Sequence, residues 1–253
     1  DGYPAGIDCN DTNPAINPGA LEICNDTIDN NCDGAIDGDD LACLTPCDRA
    51  ARINSSLGCE FYAIDLPQYS LDKMYGISVS NPDGISTANV TISTTQGIVA
   101  TLLVPPRGVA TYQDSTRAQN AGTPAITNRI YRIDSDLPLA AYQFNSIDTI
   151  GAASTDASLL FASHTLAQRY YVMDYQSALF GDNSFIAVYA TRSDTTLTIT
   201  PSTTVSGPTS ATLQPMQSLI VSAMNVNTSL TGSRIEADKP IGVFGGNRCT
   251  QVP

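Results

Sequence analysis

The chain has 253 residues, of which 42% are hydrophobic and 15% charged, as in folded soluble proteins rather than disordered ones. Its formal net charge of −13 argues against nucleic acid as a partner, because phosphates require clustered basic side chains. No run approaches the roughly 18 apolar residues of a membrane-spanning helix and no signal peptide opens the chain, so we expect a soluble, mature fragment without membrane insertion.

The first 47 residues differ from the rest in charge. They hold nine Asp, one Glu and no basic residue, whereas the sequence from Arg49 onward is nearly balanced. Such a shift predicts a boundary near residue 47. We therefore expect an acidic, cysteine-rich segment over residues 1–47.

The cysteines are also unevenly distributed. They are Cys9, Cys24, Cys32, Cys43, Cys47, Cys59 and Cys249. Close spacing in a loop-rich segment predicts disulfides and therefore an extracytoplasmic protein. A zinc site is the weaker alternative, because CxxC pairs are absent and the single histidine, His164, is distant in sequence. The odd count leaves one sulfur, assigned to Cys249, free or paired outside the chain.

Residues 29–40, DNNCDGAIDGDD, match a twelve-residue calcium loop with oxygen ligands at fixed places. The predicted ligands are Asp29, Asn31, Asp33, the carbonyl of Ala35, Asp37 and Asp40. Gly34 stands where such a loop turns sharply, and Ile36 stands where an apolar side chain anchors it to a core. Asp40 is shorter than the usual closing Glu. Four carboxylates this close repel one another without a cation, so the sequence favours Ca²⁺ over a solvated acidic turn.

A second, partial site is predicted in residues 1–14, DGYPAGIDCNDTNP. Asp1 and Gly2 would take the fifth and sixth places of a similar loop, with the Tyr3 carbonyl and the Asp8 carboxylate as later ligands. Oxygen donors that could complete or bridge the two sites are Asp11, Asn13, Glu22 and Asp26. Ordinary surface-turn chemistry accounts for the same residues.

Residues 1–40 resemble the MopE-type metal-binding motif of bacterial surface proteins. The resemblance lies in three elements and in their order: D-C-x-D, N-P-G-A-x-E-x-C and D-N-x-C-D-G-x-x-D. It implies a metal site on a bacterial surface protein. The family motif usually begins with further Asp residues, so we expect that the sequence starts inside a longer chain or after a cleavage.

Beyond residue 59 the sequence alternates between apolar and Ser/Thr residues, which predicts short antiparallel strands separated by turns. Long amphipathic helices are not expected. The predicted strands are Phe61–Asp65, Ala88–Ser93, Ile98–Val104, Ile130–Asp134, Leu139–Phe144, Tyr170–Asp174, Phe185–Thr191, Thr195–Thr200 and Ile241–Gly245.

The β region contains an internal repeat. RIDSDLPLAAYQF from Arg132 aligns with RIEADKPIGVFGG from Arg234, and FYAID from Phe61 aligns with YYVMD from Tyr170. ANVTIS and TTLTIT recur in the same order. This pattern predicts an all-β fold of two tandem antiparallel β-sandwich modules, residues 48–150 and 151–253, behind the small loop-rich, disulfide-stapled, calcium-binding segment.

The β region also resembles the IgGFc-binding protein N-terminal domain family over roughly residues 59–253. The resemblance is carried by YRIDSDLPLAAYQFN, TDASLLFASHTLAQRYYVMDY, DTTLTITPS and LTGSRIEADKPIGVFGGNRCTQVP. It implies an extracellular, non-catalytic β region of a large surface or secreted protein. Antibody binding gave the family its name and is not inferred for this chain.

A hydrolase is the enzymatic alternative, and the sequence disfavours it. His164 lies near Ser154, Ser158 and Ser163, but none of these serines sits in a G-x-S-x-G nucleophile elbow. A lone histidine in a β protein is more often structural than catalytic.

Paired acids are a second possible enzymatic signal. Asp134, Asp136 and Asp238 lie ahead of prolines at repeated positions, which predicts turns rather than a catalytic pair. Arg132 and Arg234 are then expected to brace those turns.

These observations predict a calcium-stabilised structural or adhesive protein of a bacterial cell surface, secreted and non-enzymatic. The alternative is a self-assembling subunit of an extracellular fibre or sheath, since exposed sheet edges suit strand addition. Expected partners are copies of the chain, other cell-surface proteins or glycans. The eleven tyrosines are compatible with a glycan-binding face and equally with half-buried strand positions.

Overall fold

The computed structural model of the protein describes residues 2–68, 74–114, 123–145, 156–176 and 183–248. The chain divides into two compact units, Asp1–Ile53 and Asn54–Pro253. The first unit consists mainly of turns, and the second is built from β-strands. None of the helices in the described ranges is long and apolar enough to cross a membrane.

The helices of the first unit are short. They are two 3-10 helices, Asp37–Asp39 and Leu41–Cys43, and one α-helix, α1, Pro46–Arg52. Thr45 caps α1, because its Oγ1 accepts a hydrogen bond from the Asp48 N–H at 3.1 Å. Pro46 fits the first turn of α1, where its missing N–H has no intrahelical partner to lose.

The first unit has almost no apolar core. Ile16 and Ala50 are its buried apolar side chains in the described part of the chain. Larger apolar side chains lie at its surface: Ile7, Leu21, Ile23, Ile28, Ile36, Leu41 and Ile53. Hydrophobic burial therefore contributes little to the stability of this unit, so covalent and polar interactions must hold it together.

Disulfides supply part of that stabilisation. Cys9 bonds to Cys32 and Cys24 bonds to Cys43, across sequence separations of 23 and 19 residues. Constraining loops of this length in the unfolded chain stabilises the fold by about 3 kcal/mol per disulfide. Cys47 and Cys59 are also disulfide-bonded, so the predicted disulfides are confirmed. Cys249 lies outside the described residues.

The second unit contains two antiparallel sheets. Its strands are β1 Gly58–Ile64, β2 Tyr75–Ser80, β3 Ala88–Thr94, β4 Gly97–Val104, β5 Val109–Asp114, β6 Ala125–Thr127, β7 Ile130–Phe144, β8 Ala157–Leu160, β9 Ala167–Tyr171, β10 Ser184–Ala190, β11 Thr195–Thr200, β12 Val205–Ser206, β13 Ser210–Leu213, β14 Ser218–Ala223 and β15 Arg234–Asn247. A 3-10 helix, Ser163–Thr165, connects β8 to β9.

The first sheet has the order β4-β3-β7-β2-β5, with β1 and β8 also paired to β7. The second has the order β12-β14-β10-β15-β11-β13, with β6 paired to β14 and β9 paired to β15. Within each sheet one long strand, β7 or β15, pairs with neighbours on both sides along its length. The fold class is confirmed: an all-β region of two antiparallel modules follows a small disulfide-stapled segment. The module boundaries 48–150 and 151–253 stay a prediction.

Each sheet encloses its own apolar core, and a third core lies between the sheets. In β1, Phe61 and Ala63 face the core of the first sheet, whereas Tyr62 and Ile64 face the third core. From the second sheet, alternate residues of β10 fill the third core in the same way. Because β1 and β10 are buried on both faces, their sequences read as continuous apolar runs rather than as alternating patterns.

The interpretation of Asp134, Asp136 and Asp238 as turn residues is wrong, because all three lie inside long strands. Pro138 of β7 lies where the pairing of that strand passes from β3 to β2. Pro240 of β15 lies where the pairing passes from β11 to β10. A proline has no N–H to donate, so it is tolerated where the hydrogen-bond ladder changes partner.

Arg132 and Arg234 do not brace turns either. Arg132 lies on β7 and forms ion pairs with Glu60 at 3.0 Å and with Asp134 at 2.8 Å. Arg234 lies on β15 and pairs with Glu236 of the same strand. Arg132 therefore links two carboxylates on the sheet surface, and Arg234 pairs with one.

The two sheets are connected alike around their long strands. Phe61 of β1 pairs with Ile133 of β7, and Tyr170 of β9 pairs with Ile235 of β15. β3 and β2 then flank β7 as β11 and β10 flank β15. Two short strands depart from this scheme, because β6 joins the second sheet and β8 joins the first.

Candidate metal centre

The predicted calcium loop, residues 29–40, is organised by hydrogen bonds from its own backbone. The Asp29 carboxylate accepts from the N–H groups of Asp33 at 3.2 Å and Gly34 at 2.9 Å. Asn31 Oδ1 also accepts from the Asp33 N–H, at 3.0 Å, and Asp33 Oδ1 accepts from the Ala35 N–H at 2.9 Å. The first three predicted ligands are thus held within one turn of backbone.

Gly34 makes that turn possible. Its φ is +94°, a backbone conformation that L side chains rarely adopt. The position was predicted as the sharp turn of the loop, and its conformation meets that requirement.

Asp40 closes the loop from its far end. Its side chain is buried, its Oδ2 accepts a hydrogen bond from Asn31 Nδ2 at 2.8 Å, and its Oδ1 accepts from the Ala42 N–H. The first of these bonds joins Asp40, at the twelfth place of the loop, to Asn31, at the third place. The second caps the 3-10 helix Leu41–Cys43 and fixes the direction in which the chain leaves.

Asp37 is directed to a different part of the unit. Its carboxylate accepts hydrogen bonds from the backbone N–H groups of Asn25, Asp26 and Thr27. Its own N–H donates to Glu22 Oε1 at 3.3 Å. Asn25 and Thr27 have positive φ values of 81° and 64°, so successive N–H groups point inward and form an anion-binding concavity. The structure therefore groups Asp37 with Glu22 and Asp26 rather than with Asp29 and Asp33.

Asn30 connects these two groups, and the sequence analysis missed it. Its buried side chain accepts from the Ile23 N–H at 2.8 Å and donates to Asp26 Oδ2 at 3.2 Å. Its backbone N–H donates to Glu22 Oε2 at 2.9 Å, and its carbonyl accepts from the Asn17 N–H at 3.0 Å. Asn30 stands at the second place of the loop, which supplies no ligand in the calcium pattern, so the pattern gave no reason to select it.

The partial site of residues 1–14 is less organised. Asp8 is buried, and its Oδ1 accepts from the Asn10 N–H at 2.8 Å. Asn13 Oδ1 accepts from the Ala15 N–H at 3.1 Å, while Tyr3 and Asp11 are exposed. Asp1 lies outside the described residues. These contacts are those of successive turns and do not bring the predicted donors together.

One atom of the partial site lacks a partner. Asp8 Oδ2 is buried and has no hydrogen-bond partner among the described residues. The next residue, Cys9, is joined by its disulfide to Cys32 inside the calcium loop, and its Sγ lies 3.5 Å from the Asp29 carbonyl oxygen. A buried carboxylate oxygen without a donor is costly unless a cation or water satisfies it.

The expectation that Ile36 anchors the loop to a core is wrong. Its side chain is 42% exposed. The physical reason is that the first unit has hardly any apolar core against which such an anchor could pack. Hydrogen bonds and disulfides position the loop instead.

The donor chemistry of the segment fits a hard cation. Residues 1–53 contain no histidine and no methionine, and each of their five cysteines is disulfide-bonded, so side-chain oxygens are the available strong ligands. Across the described ranges, no three side chains of His, Cys, Asp or Glu gather closely enough to make a preformed metal site. A cation would therefore draw on amide and backbone oxygens as well as carboxylates.

The four carboxylates predicted as ligands in the loop, Asp29, Asp33, Asp37 and Asp40, form no ion pair within the described part of the first unit. In the described part of the first unit, the ion pair is Arg52 with Asp39, at 3.5 Å, and Asp39 is not a predicted ligand. The hydrogen bonds that Asp29, Asp33, Asp37 and Asp40 accept there come from backbone N–H groups and, at Asp40, also from the Asn31 side-chain amide, and none of these donors carries a full positive charge.

His164 has a structural environment. Its Nε2 lies 2.9 Å from the Ser55 carbonyl oxygen, which only accepts, so Nε2 carries a proton and donates it. Ser163 Oγ donates to the Glu60 carbonyl at 3.1 Å. Neither contact forms a nucleophile–base pair. Ser154 lies outside the described residues.

The acids on the sheet surface are likewise engaged in pairs. Burial raises the pKa of Asp134, and the nearby Arg132 guanidinium acts in the opposite direction. Burial, followed by the charge of Glu60, raises the pKa of Tyr62 in the same group. This cluster lies on β1 and β7.

Two family models match the chain. Residues 8–38 match the Cu-binding_MopE family, described as a metal-binding motif, and residues 156–253 match the IgGFc_binding family, described as IgGFc binding protein. No curated protein and no solved structure matches the chain. The match to the second family begins at residue 156, so the resemblance inferred for residues 59–155 lies outside it.

The family matches and the disulfides together point to a secreted or extracellular protein. The second family is a binding domain family rather than an enzyme family. The chain therefore carries a segment similar to the MopE-type metal-binding motif followed by a region similar to the IgGFc-binding protein family, which confirms both resemblances in the predicted order.

Proposed function

We propose that the protein is a calcium-stabilised structural or adhesive protein of a bacterial cell surface, without enzymatic activity. The observation that carries this proposal is the loop of residues 29–40. Four of its carboxylates lie within twelve residues, with no basic side chain paired to any of them in the described part of the first unit. A divalent cation is the simplest neutralising group for such a loop.

The donor set favours Ca²⁺ over copper, although the matched family carries copper in its name. Copper sites in proteins rely on imidazole, thiolate or thioether ligands. The first unit lacks histidine and methionine, and its cysteines are oxidised. Carboxylate, carboxamide and carbonyl oxygens remain, and these are the ligands that Ca²⁺ prefers.

The residues that would hold the ion are Asp29, Asn31, Asp33, the Ala35 carbonyl, Asp37 and Asp40, with Asp1, Tyr3, Asp8, Asp11, Asn13, Glu22 and Asp26 as further donors. The bound ion would supply positive charge that cancels repulsion among the carboxylates. The chain itself orients Asp29 and Asp33 through loop N–H groups and orients Asp40 through Asn31. Cation binding would therefore rigidify a segment whose apolar core is too small to do so.

The β region fits a structural or adhesive role. Its matched part belongs to a binding family, and its lone histidine donates to a backbone carbonyl. The equivalent connection of the two sheets supports a tandem repeat, since β1 and β9 pair with β7 and β15 at corresponding positions. Repeated β modules behind a stiff joint are suited to extending a binding surface from a cell.

Assembly into a fibre or sheath is a second candidate function. Apolar side chains are exposed on and beside the short strands β8 and β9, with Phe161 62%, Tyr171 76% and Met173 83% exposed. Among the described residues, each of these strands pairs with a strand on one side, β8 with β7 and β9 with β15. A free strand edge bordered by apolar side chains suits strand addition by another copy of the chain.

Calorimetry on protein stripped with a chelator tests the calcium proposal. Titration with Ca²⁺ should release or absorb heat and saturate, whereas Cu²⁺ should give no saturable binding in the first unit. Absence of calcium heat would overturn the proposal. Light scattering with and without EDTA tests the fibre alternative, which requires growth of particles with protein concentration.

A further inference from the structure

A small pocket lies between the two sheets of the second unit. Its volume is about 290 Å³, near the lower limit of the range of roughly 300–1,000 Å³ that small-ligand pockets occupy. Its lining comes from β8 of the first sheet, from the segment that follows β8, and from β9, β10 and β15 of the second sheet. None of the predicted metal ligands lines it.

The pocket has an apolar body and a buried inner end. Its apolar side chains are Leu159, Phe161, Leu166, Val243 and Phe244. Leu159 and Phe161 are exposed, whereas Tyr189 and Gly242, which also line the pocket, are buried. The pocket therefore opens to solvent beside Leu159 and Phe161 and has Tyr189 and Gly242 at its inner end. An apolar ligand gains free energy by leaving water for such a site.

The ring of Tyr189 is held in place by the strand next to it. Tyr189 of β10 pairs with Gly242 of β15, and a Cβ atom at Gly242 would overlap both Cζ and the hydroxyl oxygen of the tyrosine. The ring therefore lies directly over the glycine backbone, where a side chain would displace it. The rings of Tyr62 and Phe244 flank it, with centroids 5.8 and 6.3 Å away.

The equivalent position in the first sheet is built differently. In the alignment of β7 with β15, Ala140 takes the place of Gly242, and it pairs with Ser80 of β2. The shared architecture thus accepts two small side chains at this place. It does not require the large side chain of Tyr189 or the glycine beneath it, so this pair calls for an explanation of its own.

The Tyr189 hydroxyl has no hydrogen-bond partner among the described residues, although the side chain is only 2% exposed. A buried tyrosine hydroxyl usually finds a partner, as the neighbouring Tyr62 does by donating to Glu60 Oε1 at 3.0 Å. An unpaired hydroxyl in an apolar site is unfavourable unless a ligand or water satisfies it. The unpaired group here lies at the inner end of the pocket.

This hydroxyl is available as a donor. Burial raises the pKa of Tyr189 above its ordinary value, and the nearby Tyr170 and Tyr62 act in the same direction, so the hydroxyl keeps its proton near neutral pH. Two further hydroxyls line the pocket. The Tyr170 oxygen already accepts a hydrogen bond from the Ala167 N–H at 2.8 Å, and Ser158 contributes a half-buried hydroxyl from β8.

The best complement to the inner end is a carbonyl oxygen. It accepts a hydrogen bond and has no proton of its own, so it satisfies the Tyr189 hydroxyl without bringing another unpaired donor into the apolar pocket. The volume of the pocket limits the rest of the ligand to a small apolar body.

We propose that this pocket binds a small apolar molecule, about the size of one substituted ring, that carries a carbonyl oxygen. The apolar body contacts Leu166, Val243 and Phe244, and the carbonyl oxygen accepts the hydrogen bond from Tyr189. This inference goes beyond the structural or adhesive role proposed above. It rests neither on that role nor on calcium.

An NMR titration of the full chain tests the site with two probes of nearly the same shape. Acetophenone carries the carbonyl oxygen, and α-methylstyrene carries a CH₂ group in its place. We expect acetophenone to bind saturably. Tyr189→Phe keeps the ring over Gly242 and breaks no hydrogen bond to a described residue, so the fold is retained. This variant should bind acetophenone about three- to tenfold more weakly, the effect of one lost hydrogen bond, and should bind α-methylstyrene as the wild type does.

Tyr171→Phe is the matched control, because it removes the hydroxyl of an exposed tyrosine that does not line the pocket. Its affinity for acetophenone should equal that of the wild type. The proposal is overturned if acetophenone does not saturate the wild type, if Tyr189→Phe binds it as tightly as Tyr171→Phe, or if Tyr189→Phe weakens both probes equally. An affinity that falls as the protein concentration rises would also overturn it, because a second copy of the chain would then cover the pocket.

Discussion

The substitution Asp33→Asn gives the sharpest test of a calcium ion in the loop of residues 29–40. The carboxylate of Asp33 accepts one hydrogen bond, from the backbone N–H of Ala35 at 2.9 Å, and an asparagine Oδ1 can accept the same bond. The substitution therefore removes a charge while it preserves the local fold. Asp29 is less suitable for this test, because each of its two carboxylate oxygens accepts a hydrogen bond from a different N–H group. The carboxamide of an asparagine could not accept both bonds in this way.

The size of the effect follows from Coulomb's law. A ligating carboxylate oxygen lies about 2.4 Å from Ca²⁺. At that distance the attraction between one negative charge and the doubly charged ion is about 3.5 kcal/mol, even at the dielectric constant of water. Each 1.4 kcal/mol or so changes a dissociation constant tenfold, so Asp33→Asn should weaken calcium binding roughly 300-fold. Calorimetric titration of chelator-treated protein measures this directly.

The control substitution is Asp39→Asn. It removes the same charge from the same loop, but the Asp39 side chain is 80% exposed and pairs with Arg52 instead of standing at a ligand position. A charge that does not touch the ion is screened over about 8 Å at physiological ionic strength, so binding should weaken by less than about threefold. Equal losses in the two variants would show that calcium is attracted by net charge alone, and the ligand assignment would be refuted.

Three further outcomes are expected. Replacing Cys24 and Cys43 together by Ser should lower the free energy of unfolding of the first unit by about 3 kcal/mol, seen as a lower midpoint in urea; an unchanged midpoint would contradict the view that disulfides replace an apolar core. Burial raises the pKa of Asp174, but hydrogen bonds from Ser229 and the Leu230 N–H outweigh it and hold that pKa below its ordinary value. The ionised Asp174 side chain therefore stabilises the fold above the unfolded-state pKa of about 3.9, and this stabilisation is lost as the pH falls through the pKa of the folded state. Asp174→Asn should lower the free energy of unfolding by about 1 kcal/mol near neutral pH and by little in strong acid. Urea unfolding across that pH range measures the difference. His164→Ala should leave any background ester hydrolysis unchanged, and a large loss of turnover would revive the hydrolase alternative.

The parts of the fold that the sequence predicts are those where one local pattern suffices. The strand Thr195–Thr200 alternates strictly between buried and exposed positions, and its predicted bounds are those observed. The local pattern predicts β7 as two pieces, Ile130–Asp134 and Leu139–Phe144, and predicts β15 only over Ile241–Gly245, because Pro138 and Pro240 signal breaks to such a pattern. Each proline is tolerated because the sheet offers the strand a new partner at that point, which no local pattern can reveal.

The candidate metal site also has a part that local spacing predicts and a part that depends on the fold of the whole unit. Spacing alone selects Asp29, Asn31, Asp33 and Gly34, and these residues do share one turn of backbone. Spacing also selects Asp37, but that carboxylate is bound by the N–H groups of residues 25–27, which reach it only through the folding of the whole unit. Its participation as a ligand would require some of those bonds to be exchanged for the ion, so it remains a prediction.

The two units draw their stability from different sources. The second unit buries continuous apolar strands such as β10, whereas the first buries Ile16 and Ala50 and relies on disulfides and on carboxylates that accept backbone hydrogen bonds. Carboxylates held in this way are stable as anions only while their mutual repulsion is offset. A chelator should therefore loosen the first unit and leave the β-sheet signal of the second unchanged, because no predicted calcium ligand lies beyond residue 40. If the chelator also reduced the β-sheet signal of the second unit, calcium would act on the β region, and the assignment of the ion to the acidic segment would then be wrong.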